Sequence, residues 1–478
     1  MRQESDAFAV ALLEQNVKAG DKLLVHMENC PEFLITMFAC ARIGAVAVTT
    51  NSRSVARDIE YYIETAGIVG AVTQPAFARL VATTAPQLNF LIVTDTDSGA
   101  APEAYADVAH TPFQECLKTT EKPQVRRPDP AADFLIQFTS GTTSRPKPVL
   151  LTHGNFVWGA QMNARNFNAT SDDIALVFSP LFHINAVSYS TMTTLWVGGT
   201  MVLQPRLSVS RFWDVSLRNK CTWTFVIPFL VYPLMQMDAP ENHNYRFWMI
   251  GGYSAALRKK FNIEVVCAWG MTETITQGII SCFHHTGPDG AIGRAAPCYT
   301  VEVRDEDGKR VGPGGKGVLF IKGIPGVSLF KEYFRDPDAT KAIIDEDGWL
   351  DSGDSVSIDE EGNFYFLGRE KDMLKVGAEN IAALEIESVI MQTGLVEECA
   401  VVAQKHYILD EVPVAFVIPK SGEHEGIRKA IMDACAKNLA DFKQVRDVIF
   451  VDDFPRATLG KVMKVRLREQ LPLIESDD

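Results

Sequence analysis

Short apolar runs alternate with stretches of helical periodicity in the first part of the chain. Three runs have the length and composition of buried strands: 22–26, 45–48 and 69–72. The segments between them space their apolar residues as helices do: 6–20, 31–43 and 55–65. This alternation is typical of a parallel sheet covered by helices, because parallel neighbours need a long crossover connection.

The alternation resumes further along, so a second α/β half is predicted. Helices are expected at 155–167 and 188–196, and strands at 174–178 and 200–203. The segment 95–133, rich in alanine, proline and charge, is interpreted as a surface connection that leads into the polar turn at 139–147. From residue 293 the pattern changes to short strands joined by tight turns, among them 299–304 and 317–321, which predicts a β-rich subdomain.

The chain is too long for one ordinary core, since 478 residues exceed what a single domain usually holds. A further short α/β pattern begins past Arg369. The predicted fold class is therefore α/β, with two alternating halves and a β-rich subdomain in a large N-terminal domain, residues 1–369. A small α+β C-terminal domain, residues 370–478, follows it.

Composition and charge exclude several classes of protein. A net charge of −14 argues against general nucleic-acid binding, which requires a basic face. Nine scattered cysteines without a C-x-x-C pair favour reduced thiols in a cytoplasm over disulfides or zinc. The longest apolar stretch, 33–48, is broken by Arg42 and Gly44, so no membrane span is predicted, and no signal peptide is evident at the start.

A hydroxyl-rich turn follows the predicted buried strand 134–138. It consists of Thr139, Ser140, Gly141, Thr142, Thr143 and Ser144, then Arg145, Pro146 and Lys147. Hydroxyls, a glycine that frees backbone amides and a lysine are a concentrated set of donors for phosphate oxygens. It is not a Walker turn, since Pro146 precedes the lysine and Pro148 follows it. Taken on its own, the stretch favours a solvated Ser/Thr turn over a phosphate site.

Further polar groups stand at the ends of apolar runs, where α/β proteins form their sites. Met249–Ile250 leads into Gly251, Gly252 and Tyr253, and the run 265–268 leads into Trp269, Gly270, Met271, Thr272 and Glu273. His183 lies among apolar neighbours, Asp354 and Arg369 follow two later runs, and Lys461 follows a glycine near the C-terminus.

In their order and spacing these stretches resemble the adenylate-forming superfamily of acyl-CoA synthetases, nonribosomal adenylation domains and luciferases. The resemblance extends from about residue 6 to 464 and includes the phosphate turn, the aromatic-Gly-x-Thr-Glu motif, the W-x-x-x-G-D motif and the C-terminal lysine. Within that superfamily the chain is most similar to bacterial ligases of the crotonobetaine/carnitine:CoA type. The family's usual leading segment is expected to be absent.

The resemblance implies roles for the nucleotide-binding residues. The turn from Thr139 to Lys147 would hold the β- and γ-phosphates of ATP. Gly251, Gly252 and Tyr253 would line one side of the adenine, and Trp269, followed by Gly270 and Met271, would line the other. Thr272 would contact the α-phosphate, and Glu273 would bind Mg²⁺. Asp354 would bind the ribose hydroxyls, with Arg369 beside it.

The resemblance also implies roles in the two half-reactions. His183 would border the acyl carboxylate. Lys461, on a mobile C-terminal domain, would bridge the carboxylate and the α-phosphate in the first half-reaction. Lys371 would be the hinge, and Gly377 would meet the pantetheine channel of CoA in the second.

We therefore expect an ATP-dependent, AMP-forming acid:CoA ligase. Its cofactors would be ATP and Mg²⁺, and CoA would be a co-substrate. The acid pocket is predicted among His183, Asn185, Tyr189, Phe229 and Tyr253. This mixture of aromatic and polar side chains suits a modest-sized carboxylic acid better than a long alkyl chain. Two alternatives remain: a stand-alone adenylation enzyme that loads a carrier protein, and a nucleotide-binding regulator without catalysis. A homodimer is a candidate assembly.

Overall fold

The computed structural model describes residues 1–95, 105–124, 129–139, 146–206, 208–226, 228–281, 283, 287–369, 373–376, 379–406, 409–420, 424–439, 443–456 and 462–472. They form two compact units. Residues 1–301 and 321–350 make the first unit, and residues 302–320 and 351–478 make the second. The domain boundary expected at residue 369 stays a prediction.

An eight-stranded sheet forms one half of the first unit, in the order β18-β7-β6-β2-β1-β3-β4-β5. Its strands are β1 (Lys22–His26), β2 (Val46–Thr49), β3 (Ile68–Thr73), β4 (Leu91–Val93), β5 (Thr111–Pro112), β6 (Asp133–Thr139), β7 (Lys147–Thr152) and β18 (Glu332–Tyr333). Strands β1 to β6 are parallel, β7 is antiparallel to its neighbour β6, and β18 is antiparallel to β7. The accompanying helices are α1 (Arg2–Glu14), α2 (Pro31–Ile43), α3 (Ala56–Ala66), α4 (Pro75–Thr84) and α5 (Phe113–Cys116).

Local sequence explains where these elements begin and end. Helix α2 begins with Pro31, whose fixed φ suits the first turn, and ends at Gly44, which adopts φ 77°. Strands β1 and β2 are almost wholly buried, as expected for strands covered on both faces. The strands and helices predicted from residues 6–72 are thus all present, with ends shifted by a few residues.

A second sheet forms the other half, in the order β14-β13-β12-β11-β10-β8-β9. Its strands are β8 (Ile174–Val177), β9 (Thr200–Leu203), β10 (Trp223–Phe225), β11 (Phe247–Ile250), β12 (Glu264–Trp269), β13 (Ile279–Ile280) and β14 (Ala291–Ala295). The five from β8 to β12 are parallel. The helices of this part of the chain are α6 (His153–Asn166), α7 (Thr193–Val197), α8 (Phe212–Arg218), α9 (Pro228–Met235), α10 (Ala255–Phe261) and α11 (Pro337–Lys341).

Two segments differ from the sequence-based expectation. The interpretation of 95–133 as a surface connection is incomplete, because its described part includes β5 and α5. Phe113 of α5 is fully buried and stacks on Phe8 of α1, with ring centroids 4.4 Å apart. The helix expected at 188–196 begins earlier, with a π-helical segment Asn185–Met192 that continues into α7.

The second unit is β-rich at its start and α+β at its end. Strands β15 (Thr300–Arg304), β16 (Arg310–Val311), β17 (Lys316–Lys322), β19 (Trp349–Ile358) and β20 (Phe364–Arg369) follow one another in the order β16-β15-β17-β19-β20. A further sheet holds β21 (Met373–Val376), β22 (Glu379–Ala382), β23 (Val396–His406), β24 (Asp410–Pro419) and β25 (Asp447–Phe450). Its helices are α12 (Ala383–Gln392), α13 (His424–Asn438) and α14 (Lys464–Arg468). Within the described residues, no helix combines the length and apolarity that crossing a membrane requires.

Candidate nucleotide-binding and active site

The two strands that flank the hydroxyl-rich turn form an antiparallel pair. Thr139 ends β6 and lies opposite Lys147, the first residue of β7. The Thr139 hydroxyl donates to the Lys147 carbonyl oxygen at 3.4 Å, and the Tyr61 hydroxyl donates to the Pro146 carbonyl at 2.9 Å. The ends of the turn are therefore fixed by the β6–β7 pairing and by Tyr61 of α3. The central residues of the predicted phosphate turn, Ser140, Gly141, Thr142, Thr143 and Ser144, lie outside the described residues.

Lys147 and Glu273 both contact Tyr333, the first at its ring and the second at its hydroxyl. The Lys147 ammonium lies over the ring of Tyr333, 4.7 Å from its centroid. The hydroxyl of Tyr333 donates to Oε1 of Glu273 at 2.7 Å, and both side chains are about 5% exposed. A cation suited to phosphate and a buried carboxylate suited to a metal ion thus share one contact residue. Tyr333 is not among the residues predicted from the sequence, because its strand has only two residues and gives no periodic signal.

The segment after β12 is a tight turn. Trp269 ends the strand, and Thr272–Thr274 form one turn of 3₁₀-helix. The backbone amide of Met271 donates to the Thr274 hydroxyl at 3.1 Å. Ile275, a β-branched residue, adopts φ 63°, a strained conformation that must be held by its surroundings. The Ser188 hydroxyl, which donates to the Ile275 carbonyl at 2.8 Å, is one such restraint.

Strand β11 leads into the second predicted adenine-lining segment. The backbone of Tyr253 is bonded in both directions, since its amide donates to Ala291 at 2.9 Å and its carbonyl accepts from Gly290 at 3.0 Å. A β-carbon at Gly252 would find its nearest neighbour at 3.6 Å, the carbonyl oxygen of Gly290. Because β11 and β12 are parallel neighbours, Gly251, Gly252 and Tyr253 emerge at the same sheet edge as the turn after Trp269.

Two buried polar groups lie on the segment after β8. His183 Nε2 and the Tyr189 hydroxyl have no hydrogen-bond partner among the described residues. Burial lowers the pKa of His183 to about 3, so its imidazole is neutral at physiological pH. Burial also raises the pKa of Tyr189, and the charge of Glu273 adds to this shift. Both groups can exchange hydrogen bonds with a ligand without carrying a charge.

Asp354 and Arg369 belong to the second unit. Asp354 is 4% exposed on β19 and lies opposite Arg369 of β20 in the strand register. Gly353, directly before it, has φ 64°, which explains a glycine at this point of the W-x-x-x-G-D motif. The backbones of the predicted ribose-binding aspartate and of its arginine neighbour are therefore adjacent.

The segment that carries Lys461 is flanked by paired residues. Arg456 and Val462 form an isolated antiparallel bridge, and the Met463 amide donates to Pro455 at 2.7 Å. Just beyond, Lys464 forms an ion pair with Glu387 of α12 at 2.6 Å. Lys461 itself, with Lys371 and Gly377, lies outside the described residues.

A magnesium ion fits the donor set around Glu273. Among the described residues there is no group of three or more His, Cys, Asp and Glu side chains that could hold a metal alone. Mg²⁺ in nucleotide sites is commonly bound by one or two carboxylates together with phosphate oxygens and water. Glu273 suits such a role, because it is a buried carboxylate whose orientation is fixed by the hydrogen bond from Tyr333 to Oε1.

The strand edges, the flanked phosphate turn and the buried carboxylate define an α/β nucleotide-binding enzyme. The AMP-binding enzyme family matches residues 1–334, and the AMP-binding enzyme C-terminal domain matches residues 385–461. The chain belongs to the AMP-binding enzyme family. The predicted membership of the adenylate-forming superfamily, in its acyl-CoA synthetase branch, is confirmed.

Several characterised proteins resemble the chain along most of its length. It is 32% identical to crotonobetaine/carnitine–CoA ligase of Escherichia coli O139:H28, over 98% of this chain and 92% of the relative. The crystal structure of ATP-bound MatB from Rhodopseudomonas palustris superposes with a TM-score of 0.87 at 26% identity, covering 98% of this chain and 92% of that one. O-succinylbenzoate coenzyme A synthetase from Bacillus subtilis, in complex with AMP, gives 0.82 at 25%, covering 98% and 92%. The predicted fold class is confirmed by these structures.

Proposed function

We propose that the protein is an ATP-dependent acid:CoA ligase that works in two half-reactions. In the first, a carboxylate oxygen of the acid attacks the α-phosphorus of ATP, the bond to the β-phosphate oxygen breaks, and pyrophosphate leaves. In the second, the sulfur of CoA attacks the acyl carbon, the thiol loses its proton, and AMP leaves. The observation that carries the proposal is the joint placement of Lys147 and Glu273 on Tyr333.

The charges of the first half-reaction explain why these residue types are needed. A carboxylate that attacks a polyphosphate brings like charges together, so cations must offset the negative charge that develops in the transition state. We assign Lys147 and the hydroxyls from Thr139 to Ser144 to the β- and γ-phosphates, Thr272 to the α-phosphate, and Lys461 to the carboxylate and α-phosphate together. When bound at Glu273, Mg²⁺ would neutralise phosphate charge.

The remaining roles follow the same family resemblance. Gly251, Gly252 and Tyr253 would line one face of the adenine, and Trp269, Gly270 and Met271 the other. Asp354 would bind the ribose hydroxyls and Arg369 would lie beside it. Rotation of the C-terminal domain about Lys371 would exchange Lys461 for Gly377, which would border the CoA channel. Such an exchange lets one site perform two reactions in sequence.

The acid is proposed to bind near His183, with Asn185, Tyr189, Phe229 and Tyr253. The buried neutral imidazole and the buried phenol can pair with uncharged polar groups of an acid. A long alkyl chain would leave these groups unpaired, which costs about 1–3 kcal/mol each. We therefore propose a modest-sized acid with a hydrogen-bonding substituent, such as the hydroxyl of carnitine, one of the two acids in the name of the relatives.

The cellular setting is part of the same proposal. The eight described cysteines are all free, as thiols are in a reducing compartment. A cytoplasmic enzyme without nucleic-acid partners agrees with these thiols and with the net charge of −14.

The test is a screen of carboxylic acids for pyrophosphate release, with and without CoA. Crotonobetaine, carnitine, malonate, benzoate and medium-chain fatty acids form a suitable first panel. We expect acid-dependent pyrophosphate release and, with CoA present, formation of the matching acyl-CoA. Pyrophosphate release without any thioester would favour a carrier-protein loading enzyme. No release with any acid in a broad panel would favour a nucleotide-binding regulator and overturn the proposal.

A further inference from the structure

We propose that Tyr333 is a positioning residue that orients Glu273 for the metal ion and at the same time holds the lysine of the phosphate turn. The inference rests on the proposed function, because it assigns a role toward MgATP. It concerns a residue outside the motifs by which the site was identified. Its basis is a segment of the first unit that joins the phosphate strand to the turn after β12.

This segment, residues 326–334, is called the strap here. On one side it is bonded to β7: the Lys331 amide donates to Leu150 at 2.9 Å, and the Phe334 amide donates to Pro148 at 2.8 Å. On the other side the Phe330 amide donates to the backbone carbonyl of Glu273 at 2.8 Å. The strap therefore fixes the backbone distance between the start of β7 and the carboxylate-bearing turn.

The strap is itself held by side chains of α6 and β6. The amide of Asn155 donates to the carbonyls of Val327 and Leu329 at 2.8 and 2.7 Å. The Lys331 ammonium pairs with Asp133 at 2.7 Å. A segment bound at so many points has little freedom to shift, so its side chains stand at fixed places relative to both neighbours.

Tyr333 is the strap residue that faces both functional side chains. It lies opposite Val149 in the β18–β7 register, is 5% exposed, and packs its ring against Phe330 at 4.9 Å. Its ring lies beneath the Lys147 ammonium and its hydroxyl donates to Glu273 Oε1. The ring of Tyr333 therefore positions the Lys147 ammonium, and its hydroxyl positions the Glu273 carboxylate.

The chemistry of each contact gives a separate expectation. A carboxylate that binds a metal with one oxygen is oriented by a hydrogen bond to the other, and loss of such a partner typically lowers metal affinity by about 10–100-fold. An ammonium over an aromatic ring is attracted to the ring electrons, and this stabilisation is lost when the ring is removed. The Tyr333 hydroxyl should therefore determine how ATP binding depends on the Mg²⁺ concentration. The Tyr333 ring should determine the affinity for ATP in the absence of Mg²⁺.

Two substitutions separate these contributions. Tyr333→Phe removes the hydroxyl and keeps the ring, while Tyr333→Leu removes both. Binding of ATP is measured by calorimetry at a series of Mg²⁺ concentrations and in EDTA. We expect Tyr333→Phe to raise the Mg²⁺ concentration for half-maximal binding about tenfold and to leave binding in EDTA unchanged. Tyr333→Leu should in addition weaken binding in EDTA by about three- to tenfold.

A matched control is Tyr245→Phe. Tyr245 is buried to a similar degree, and its hydroxyl is hydrogen-bonded to Ser216 at 2.7 Å in the aromatic core, with no assigned contact to nucleotide. Its substitution should leave both binding measurements at wild-type values. Thermal unfolding of every variant verifies that the fold is kept.

A double-mutant cycle tests whether Tyr333 acts through Glu273. In a Glu273→Gln background, Tyr333→Phe should no longer change the Mg²⁺ dependence, since the carboxylate that it orients is absent. An unchanged Mg²⁺ dependence in the single Tyr333→Phe variant, or additive effects in the cycle, would overturn the inference. Failure of the wild-type protein to bind MgATP would instead overturn the proposed function, so the two failures are distinguishable.

Discussion

The hydroxyl of Tyr189 occupies the space beside Gly270 in which a side chain at that position would begin. A β-carbon at position 270 would stand 2.5 Å from that oxygen and 2.9 Å from the carbonyl oxygen of Thr276. Gly270 does not have a positive φ, so the glycine is required here by close approach and not by backbone torsion. The turn after β12 therefore packs closely against the π-helical segment, which carries Tyr189 of the proposed acid-binding residues.

This contact predicts a severe effect of Gly270→Ala. The added methyl group must displace the turn that carries Thr272 and Glu273, and a shift of about 1 Å in a catalytic group can cost about 100-fold in rate. We expect pyrophosphate release to fall by about that factor. Gly270→Ala combined with Tyr189→Phe should recover part of the loss, measured against Tyr189→Phe alone, because one of the two obstructing oxygens is gone.

The control for this experiment is Gly426→Ala. A β-carbon at Gly426 would meet no atom within 4 Å, and the position lies in helix α13. Its substitution should leave pyrophosphate release unchanged. A double variant no more active than Gly270→Ala alone would show that the Tyr189 hydroxyl is not the obstruction.

Much of the fold could be predicted from local sequence. The strands that precede Thr139 and Gly251, and β12 ending at Trp269, consist mainly of apolar residues, and their carboxyl ends identify the sheet edges where the polar motifs lie. The order of these motifs was sufficient to predict the family. This success depends on signals that lie within a few residues of one another.

The contacts that unite the site could not be predicted in the same way. Glu273 and Tyr333 are 60 positions apart, and the strand that carries Tyr333 has only two residues. Hydrophobic periodicity predicts neither the positive φ of Ile275 nor the close approach of Tyr189 to Gly270. Such relationships arise from how distant segments pack, which no local pattern encodes.

Two glutamates of helix α12 are predicted to contribute differently to the free energy of unfolding, because only Glu387 belongs to a largely buried ion pair. Glu387 and Lys464 are 15% and 17% exposed, and Glu387 Oε1 also accepts the Val401 amide at 2.7 Å. Removal of one partner leaves a largely buried charge, which costs about 3 kcal/mol. We expect Glu387→Ala to lower the free energy of unfolding by that amount in urea titrations.

The comparison variant is Glu385→Ala on the same helix. Glu385 pairs with Lys443 at 2.7 Å but is 46% exposed, and such pairs contribute about 0–1 kcal/mol. Equal losses for the two variants would contradict a special role for the Glu387–Lys464 pair next to the segment of Lys461.

Stability is predicted to fall at mildly acidic pH because of His26. This residue is fully buried, its Nδ1 is within hydrogen-bond distance of the Thr50 hydroxyl at 3.0 Å, and burial lowers its pKa from 6.5 to about 4. Between these values the unfolded chain binds a proton that the folded chain does not. The stabilisation is complete above pH 6.5 and is lost as the pH falls toward 4, by about 2 kcal/mol at pH 5.

His26→Gln should therefore reduce the loss of unfolding free energy between pH 7 and pH 5 by about 2 kcal/mol. The free energy of unfolding is measured by urea denaturation at pH 7 and at pH 5. The change between the two pH values is then compared among variants, so that a difference in absolute stability does not affect the result. His424→Gln, which replaces an exposed imidazole, is the control. A pH dependence identical to that of the wild type would show that His26 is not the group responsible.

Lys461 predicts a separation of the two half-reactions. Its proposed role is to offset charge between the carboxylate and the α-phosphate, a role that exists only while the acyl-adenylate forms. Loss of one such electrostatic contact typically costs about 10²–10³ in rate. We expect Lys461→Ala to reduce pyrophosphate release by this factor, and to leave transfer from a supplied acyl-adenylate to CoA close to the wild-type rate.

Lys429→Ala provides the matched control, since Lys429 is a 76% exposed lysine of the same unit that pairs with Asp433 on its own helix. Both half-reactions should be unaffected in that variant. An equal loss of both half-reactions in Lys461→Ala would mean that the lysine supports the structure of the C-terminal region, because a group used only to balance charge during adenylation cannot slow a step in which no phosphoric anhydride is formed.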